Sequence, residues 1–261
     1  IQAACATSNL KRCTLELGGK SPLVVFDDVE NLDEAVEICY DSVFTNAGQC
    51  CCASSRTFVQ EGIYDRFVAK AVELAKSRKV GGQWDEGVQQ GPQIDEKQFD
   101  KVLSLIEAGK KEGAKMECGG KRLGDKGYFI QPTVFSGVRD DMIIAREEIF
   151  GPVQSIFKFS SMEEVIERAN DTSYGLAAGV LTSNINNALT FAQVNKKKLS
   201  SVNLTHTVKC RQCKLALFGS TVSWPICLRP HSEDSSNQGW AESWDQRGAW
   251  PTWRIRQSPL L

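Results

Sequence analysis

The sequence predicts an α/β fold, a mostly parallel sheet flanked by helices. Two observations carry this. Short apolar, β-branched runs alternate with amphipathic helical stretches from residue 1 to about 198. Between successive strand signals the chain is long enough for a crossover helix, which places neighbouring strands parallel. In order, Ser21–Asp28 (SPLVVFDD) reads as a buried strand entered from a Gly-Gly turn. Asn31 and Glu34 have capping-box spacing and open a helix over LDEAVEICYDSVF. Arg56–Gln60 reads as a strand, and from Ile63 the spacing of Phe67, Ala71, Leu74 and Ala75 is helical. A second amphipathic helix runs from about Glu96 to Gly109, with Phe99, Val102, Leu103 and Ile106 on one face. Ala114–Glu117, Tyr128–Val138 and Ser155–Phe159 read as strands. Ser161 and Glu164 form another capping box, Gly175–Thr182 is a buried strand, and a helix follows from about Asn184.

Composition narrows the function. Of 261 residues, 41% are hydrophobic and 24% charged, ordinary globular usage with material for a core. The net charge of -1 gives no bulk electrostatic case for nucleic acid or an anionic membrane. No apolar run approaches the roughly 20 residues that a membrane helix needs. The opening residues, IQAACATSNLKRC, carry no targeting signal, so a cytoplasmic setting is expected, with a mitochondrial one as the alternative. Ten cysteines, three of them consecutive, make a poor disulfide framework. Reduced thiols are expected, and one can be chemically active.

Three clusters could do chemistry. In Leu15-Glu16-Leu17-Gly18-Gly19-Lys20-Ser21-Pro22 a carboxylate precedes a turn that a ligand can approach closely. Flanking leucines would partly desolvate Glu16 and suit it to general-base work. Phe44–Cys52 (FTNAGQCCC) ends a helix and carries the thiols on a loop, where backbone N–H groups favour ionisation. In Arg146–Pro152 (REEIFGP), Glu148 and Phe150 share a face if the segment is extended. Each cluster taken alone also fits a plain structural role: a solvated glutamate, inert thiols, a strand end. Together they say more. Glu16 and Cys51 lie 35 positions apart (51 minus 16) across one strand–helix unit, so both can face one cleft. A thiol with a nearby glutamate suits covalent acyl chemistry.

With LELGGKSP, FTNAGQCCC and EEIFGP, and also RTFVQ, VGGQWDEGVQQGPQID, GYFIQPTVFSGV and RANDTSYGLAAGV, the chain resembles the aldehyde dehydrogenase superfamily over residues 1 to about 198. The resemblance is to its NAD-dependent class, the retinal and acetaldehyde dehydrogenases. It implies oxidation of a small-molecule aldehyde to a carboxylic acid with NAD, NADP being the alternative. Cys51 would be the nucleophile that forms a thiohemiacetal and then a thioester, and Glu16 the base that activates the hydrolytic water. The Cys51 backbone N–H would supply half of an oxyanion hole. Glu148 would bind the nicotinamide ribose, Phe150 the nicotinamide side, Leu17 and Gly18 its pocket by their backbone, and Gln98 and Lys101 would lie near the cofactor's ribose. Cys50 and Cys52 would shape the substrate pocket. Family members are homodimers or homotetramers.

The same comparison divides the chain. Residues 1–20 correspond to a remnant of the dinucleotide-binding domain, 21–198 to the catalytic domain, and 199–261 to a divergent, poorly ordered tail holding five of six tryptophans and both histidines. The family's nucleotide-binding half lies upstream of these residues, which makes a catalytically dead interaction or decoy subunit the competing reading. A cofactor-free thiol hydrolase would need a histidine beside Cys51, and only His206 and His231 exist. A zinc module from His206, Cys210, Cys213, Cys227 and His231 has ligand spacing but sits in the divergent tail. No metal is therefore expected at the site.

Overall fold

The computed structural model describes residues 1–198, 205–210 and 213–218, with side chains as far as residue 193. In chain order its elements are α1 (Gln2–Ala6), β1 (Pro22–Val25), α2 (Leu32–Phe44), β2 (Arg56–Gln60), α3 (Tyr64–Ser77), α4 (Glu96–Lys111), β3 (Lys115–Cys118), β4 (Thr133–Ser136), α5 (Ile143–Arg146), β5 (Val153–Phe159), α6 (Met162–Asn170), β6 (Ala177–Leu181), α7 (Ile185–Lys198), β7 (Thr205–Cys210) and β8 (Cys213–Phe218). The described strands form one sheet in the order β3-β4-β5-β2-β1-β6-β7-β8. The run from β4 to β7 is parallel, and β3 and β8 are antiparallel at the two edges.

Side chains alternate between two cores. Val24, Phe26, Phe58 and Phe157 pack with residues of α4, α5, α6 and α7. Leu23, Val25, Val59 and Ile156 pack with α2 and α3 on the other face. Burial on both faces explains why β1 and β2 read as continuous apolar runs. The helix starts follow their caps. Asn31 Oδ1 accepts from the backbone N–H groups of Asp33 and Glu34, and Ser161 Oγ accepts from Glu164 N.

The structure departs from the sequence expectation in three places. The strand expected over Tyr128–Val138 shrinks to β4, because Pro132 has no N–H to give the ladder. The single-turn α5 had no periodic signal, being shorter than any window that shows one. The sheet also continues past residue 198. β7 pairs parallel with β6, from Ala177 opposite Thr205 to Leu181 opposite Lys209, and β8 pairs back on β7. Thr205, Thr207 and Val208 suit an extended backbone without any alternation to announce it. The rest of the expected tail lies outside the described residues, as do the side chains of the candidate zinc ligands.

The topology has one consequence for function. β1, β2, β5 and β6 are parallel, with Pro22 opposite Arg56, Arg56 opposite Ser155, and Leu23 opposite Gly179. Their amino ends share one edge of the sheet. The segments entering them are Gly18–Ser21, Cys50–Ser55, Glu148–Pro152 and Tyr174–Leu176, so all three sequence clusters meet there. Open α/β sheets more often bind ligands at the carboxyl ends of their strands.

Candidate active site

The thiol loop is set by the end of α2. After Phe44 the chain turns through three consecutive left-handed residues, Asn46 (φ 53), Ala47 (φ 54) and Gly48 (φ 75). For the two non-glycine residues such a conformation costs roughly 1–3 kcal/mol each, so surrounding structure has to impose it. Gln93, buried, donates from Nε2 to Ala47 O at 3.2 Å. Gln49 Oε1 accepts from Ile94 N at 2.9 Å. Arg78 donates to Phe44 O at 2.9 Å and to Gln89 O at 3.1 Å. The segment around 89–94 thereby clamps the turn that delivers Cys50–Cys52.

Against this loop sits the Gly18–Lys20 turn. A Cβ on Gly19 would lie 2.0 Å from the Cys51 carbonyl oxygen, so backbone meets backbone there. Gly19 N donates to Glu148 Oε1 at 2.9 Å, and Glu148 Oε2 lies against Gly18. One cleft thus takes lining from Gly19, Gly48, Cys50, Glu148 and Phe150. The segment carrying Glu148 leaves α5 in an extended conformation at Glu147 and breaks at Phe150. Phe150 has φ 56, and it lines the same cleft as Glu148. Gln98, in the first turn of α4, holds that turn. Its Nε2 donates to Ile149 O at 3.0 Å and to Phe150 O at 2.8 Å. Lys101, one turn further along α4, is exposed.

Cys51 is half-buried. Burial raises its thiol pKa, the neighbouring Cys50 charge raises it further, and the Glu16 carboxylate adds to this, while backbone N–H groups pull the other way. The loop thiol is therefore harder to ionise than its position suggested. Glu16 is exposed, as is Leu17 at 67%, because the stretch from Leu10 to Leu17 lies off the core. The desolvation expected for Glu16 is absent. Cys50 and Cys52 touch, with 3.4 Å between sulfurs. Sharing one S–H between them eases the pair's first ionisation, assigned to Cys50 at about 6, and raises its second, on Cys52. Cys39 is buried and its thiol is pushed well up by desolvation, which leaves it inert.

Two buried cations behind the site had no sequence signal beyond their position at strand entries. Arg56, 3% exposed, donates to the carbonyls of Lys20, Arg168 and Ala169 and ties the β1 and β2 entries to α6. Lys20 is 1% exposed, and its Nζ has no hydrogen-bond partner among the described residues. Burial, then the Arg56 charge, pull its pKa down to about 7, against Glu148 and Glu147. A lysine lowered in the folded state binds fewer protons there than in the unfolded chain. Stability from this group is lost at low pH and gained as pH rises from about 7 toward 10.5. Across that window wild-type stability should rise relative to Lys20→Met by up to about 1.4 kcal/mol per pH unit. Urea unfolding at pH 7 and pH 9 measures it, and parallel curves for the two proteins would refute the buried, uncharged amine.

The chain is similar to known proteins over most of its length. The model of the Aldehyde dehydrogenase family matches residues 1–219. Aldehyde dehydrogenase 1A1 of Mesocricetus auratus is 59% identical over 218 residues, which is 84% of this chain and 43% of that protein. An aldehyde dehydrogenase of Enchytraeus buchholzi is 62% identical over 185 residues, covering 71% of this chain and 37% of that one. Among solved structures, the NAD+ complex of aldehyde dehydrogenase from Bacillus cereus superposes with a TM-score of 0.73 at 43% identity, over 80% of this chain and 40% of that one.

Proposed function

We propose a function from one premise: this chain belongs to the aldehyde dehydrogenase family. The chain contributes the thiol-bearing site of an enzyme that oxidises an aldehyde to a carboxylic acid with NAD, NADP being the alternative. The observation that carries this is the packing of the Cys51 carbonyl against Gly19, whose N–H also binds Glu148. The Cys51 backbone and the Glu148 carboxylate thereby meet at one glycine.

The residues present fit the nicotinamide end of a dinucleotide. Glu148 Oε2 is left to accept from a ribose hydroxyl while Oε1 stays on Gly19 N. Gly18 borders that carboxylate, Leu17 immediately precedes Gly18 in the chain, and Phe150 lines the same cleft as Glu148. Gln98 serves this end by fastening the turn at Phe150, and Lys101 presents a cation further out on α4. When bound, the nicotinamide supplies a hydride acceptor. The chain's own groups do the rest. Cys51 Sγ, as thiolate, adds to the carbonyl carbon, and the oxyanion accepts from the Cys51 backbone N–H. Loss of hydride from that carbon leaves a thioester on Cys51. Glu16 takes a proton from water, whose oxygen attacks the thioester and releases the acid and the thiol.

A second reading has an observation of its own. The chain spans 43% of the length of the Mesocricetus auratus relative, so an interaction subunit without turnover competes with an active enzyme. Purified chain mixed with an aldehyde and NAD separates them. NADH absorbance that rises with aldehyde supports the dehydrogenase, and a flat trace at saturating NAD leaves the interaction subunit. A cytosolic setting follows the relative named cytosolic 1 from Rattus norvegicus, with the mitochondrial member from Arabidopsis thaliana as the alternative. Assembly as a homodimer or homotetramer rests on the family resemblance alone. Among the described residues, no helix is long and apolar enough to cross a membrane.

A further inference from the structure

We propose that Lys20 is a positioning residue for Glu148: its buried amine, when it carries a proton, competes with the Gly19 N–H for that carboxylate, and without one leaves the carboxylate in place for a ligand. Three observations set the two residues in one cluster. Glu148 Oε1 accepts from Gly19 N at 2.9 Å, so the carboxylate sits on the residue next to Lys20. The Lys20 carbonyl accepts from Arg56 Nε at 2.9 Å, which fixes its backbone at the entry of β1. The Lys20 side chain is 1% exposed, and Nζ has no hydrogen-bond partner among the described residues. Every other lysine whose side chain is described is at least partly exposed. Buried polar groups are as a rule paired, and an unpaired buried charge is costlier than an unpaired neutral group. The amine is therefore neutral, or it takes an acceptor from another donor.

The charged groups that reach Nζ are Arg56 from β2, Glu148 and Glu147 from the segment after α5, and Lys101 from α4. The two cations oppose a proton there, and the two carboxylates favour it, Glu148 the more strongly. Glu147 and Lys101 are exposed and screened by solvent, whereas Glu148 is half-buried. Glu148 is thus the acceptor to which a Lys20 ammonium turns. Burial, then Arg56, bring the amine down to about 7, so both charge states are reached near neutral pH. With Lys20 neutral, Oε1 stays on Gly19 N, the arrangement the structure shows. With Lys20 charged, the carboxylate is shared with the ammonium, and the Gly18–Lys20 turn loses part of its tie to the Glu148 segment. The consequence for a nicotinamide ribose rests on the dehydrogenase reading: Glu148 would hold it better above pH 7 than below. The contest for Glu148 itself needs neither cofactor nor turnover, so it is tested apart from that reading.

The test is amide hydrogen exchange on the full chain without ligand, read residue by residue by mass spectrometry at pH 6 and pH 8.5 and expressed as protection factors. Over that interval the charged fraction of Lys20 falls from about nine-tenths to a few per cent. The Gly19 N–H should be at least about tenfold less protected at pH 6 than at pH 8.5. Phe26 N, which donates to Leu181 O at 3.0 Å beyond the other end of β1, should not change and reports on the whole domain. Lys20→Met should keep Gly19 protected at both pH values, and Lys20→Arg, always charged, should leave it poorly protected at both. Gly19 protection that is the same at the two pH values in wild type overturns the proposal. So does a pH dependence that persists in Lys20→Met, or a loss at pH 6 that Phe26 shares. Wild type decides by itself if a variant fails to fold.

Discussion

Gly48→Ala is expected to destroy the site and to remove more than about 4 kcal/mol of stability, a large share of the roughly 5–15 kcal/mol that holds a domain together. Two costs add. Gly48 has φ 75, where an alanine is strained by about 1 kcal/mol or more. The larger cost is contact. The new Cβ would sit 1.9 Å from Gly151 O, 2.2 Å from Gly151 C and 2.7 Å from Pro152 N. All three are backbone atoms, so no side chain can rotate away. Relief needs the Cys50–Cys52 loop and the Glu148–Pro152 segment to separate, and those are the two walls of the cleft. Gly91→Ala is the matched control, because nothing lies within 4 Å of its Cβ. Urea unfolding of both variants measures the difference. A Gly48→Ala protein within 1 kcal/mol of Gly91→Ala would show that the two segments do not meet as described.

That contact also marks how far the sequence could be read. Asn46 and Gly48 announced the end of a helix, and α2 does end at Phe44. The capping residues Asn31 and Ser161 set helix starts that the structure reproduces, because capping is a local interaction between residues two or three apart. The three chemical clusters were equally visible as motifs. What brings them together was not. Gly48 against Gly151, Gly19 against Cys51, and Gln98 on Phe150 are contacts between segments far apart in sequence, fixed by sheet order rather than by spacing. Charge told the same story. Leucines beside Glu16 implied desolvation, yet neighbours in sequence do not bury a residue whose segment lies off the core. Lys20 and Arg56 carry no local sequence signal of burial and are among the most buried polar side chains of the described part.

On the proposed mechanism, Cys51→Ala should lower aldehyde oxidation by at least about a thousand-fold, because it removes the sulfur that forms the acyl bond. On the proposed mechanism, Glu16→Gln should look different. Its thiol is intact, so each site should still turn over once, and NADH should appear in a burst of one equivalent. Steady-state turnover should then fall by about a hundred-fold or more for want of a base on the water. The burst itself carries a further sign. The Glu16 charge contributes to raising the Cys51 pKa, after burial and Cys50. Removing it enlarges the thiolate fraction at a given pH, so the burst in Glu16→Gln should be as fast as wild type or faster. Below the thiol's pKa, the burst rate in both proteins should climb about tenfold per pH unit. Stopped-flow absorbance gives burst and steady state in one trace. If Glu16→Gln lost the burst along with turnover, Glu16 would act on the thiol before the carbonyl is attacked. Its assignment to the hydrolytic water would then fail while that of Cys51 stood.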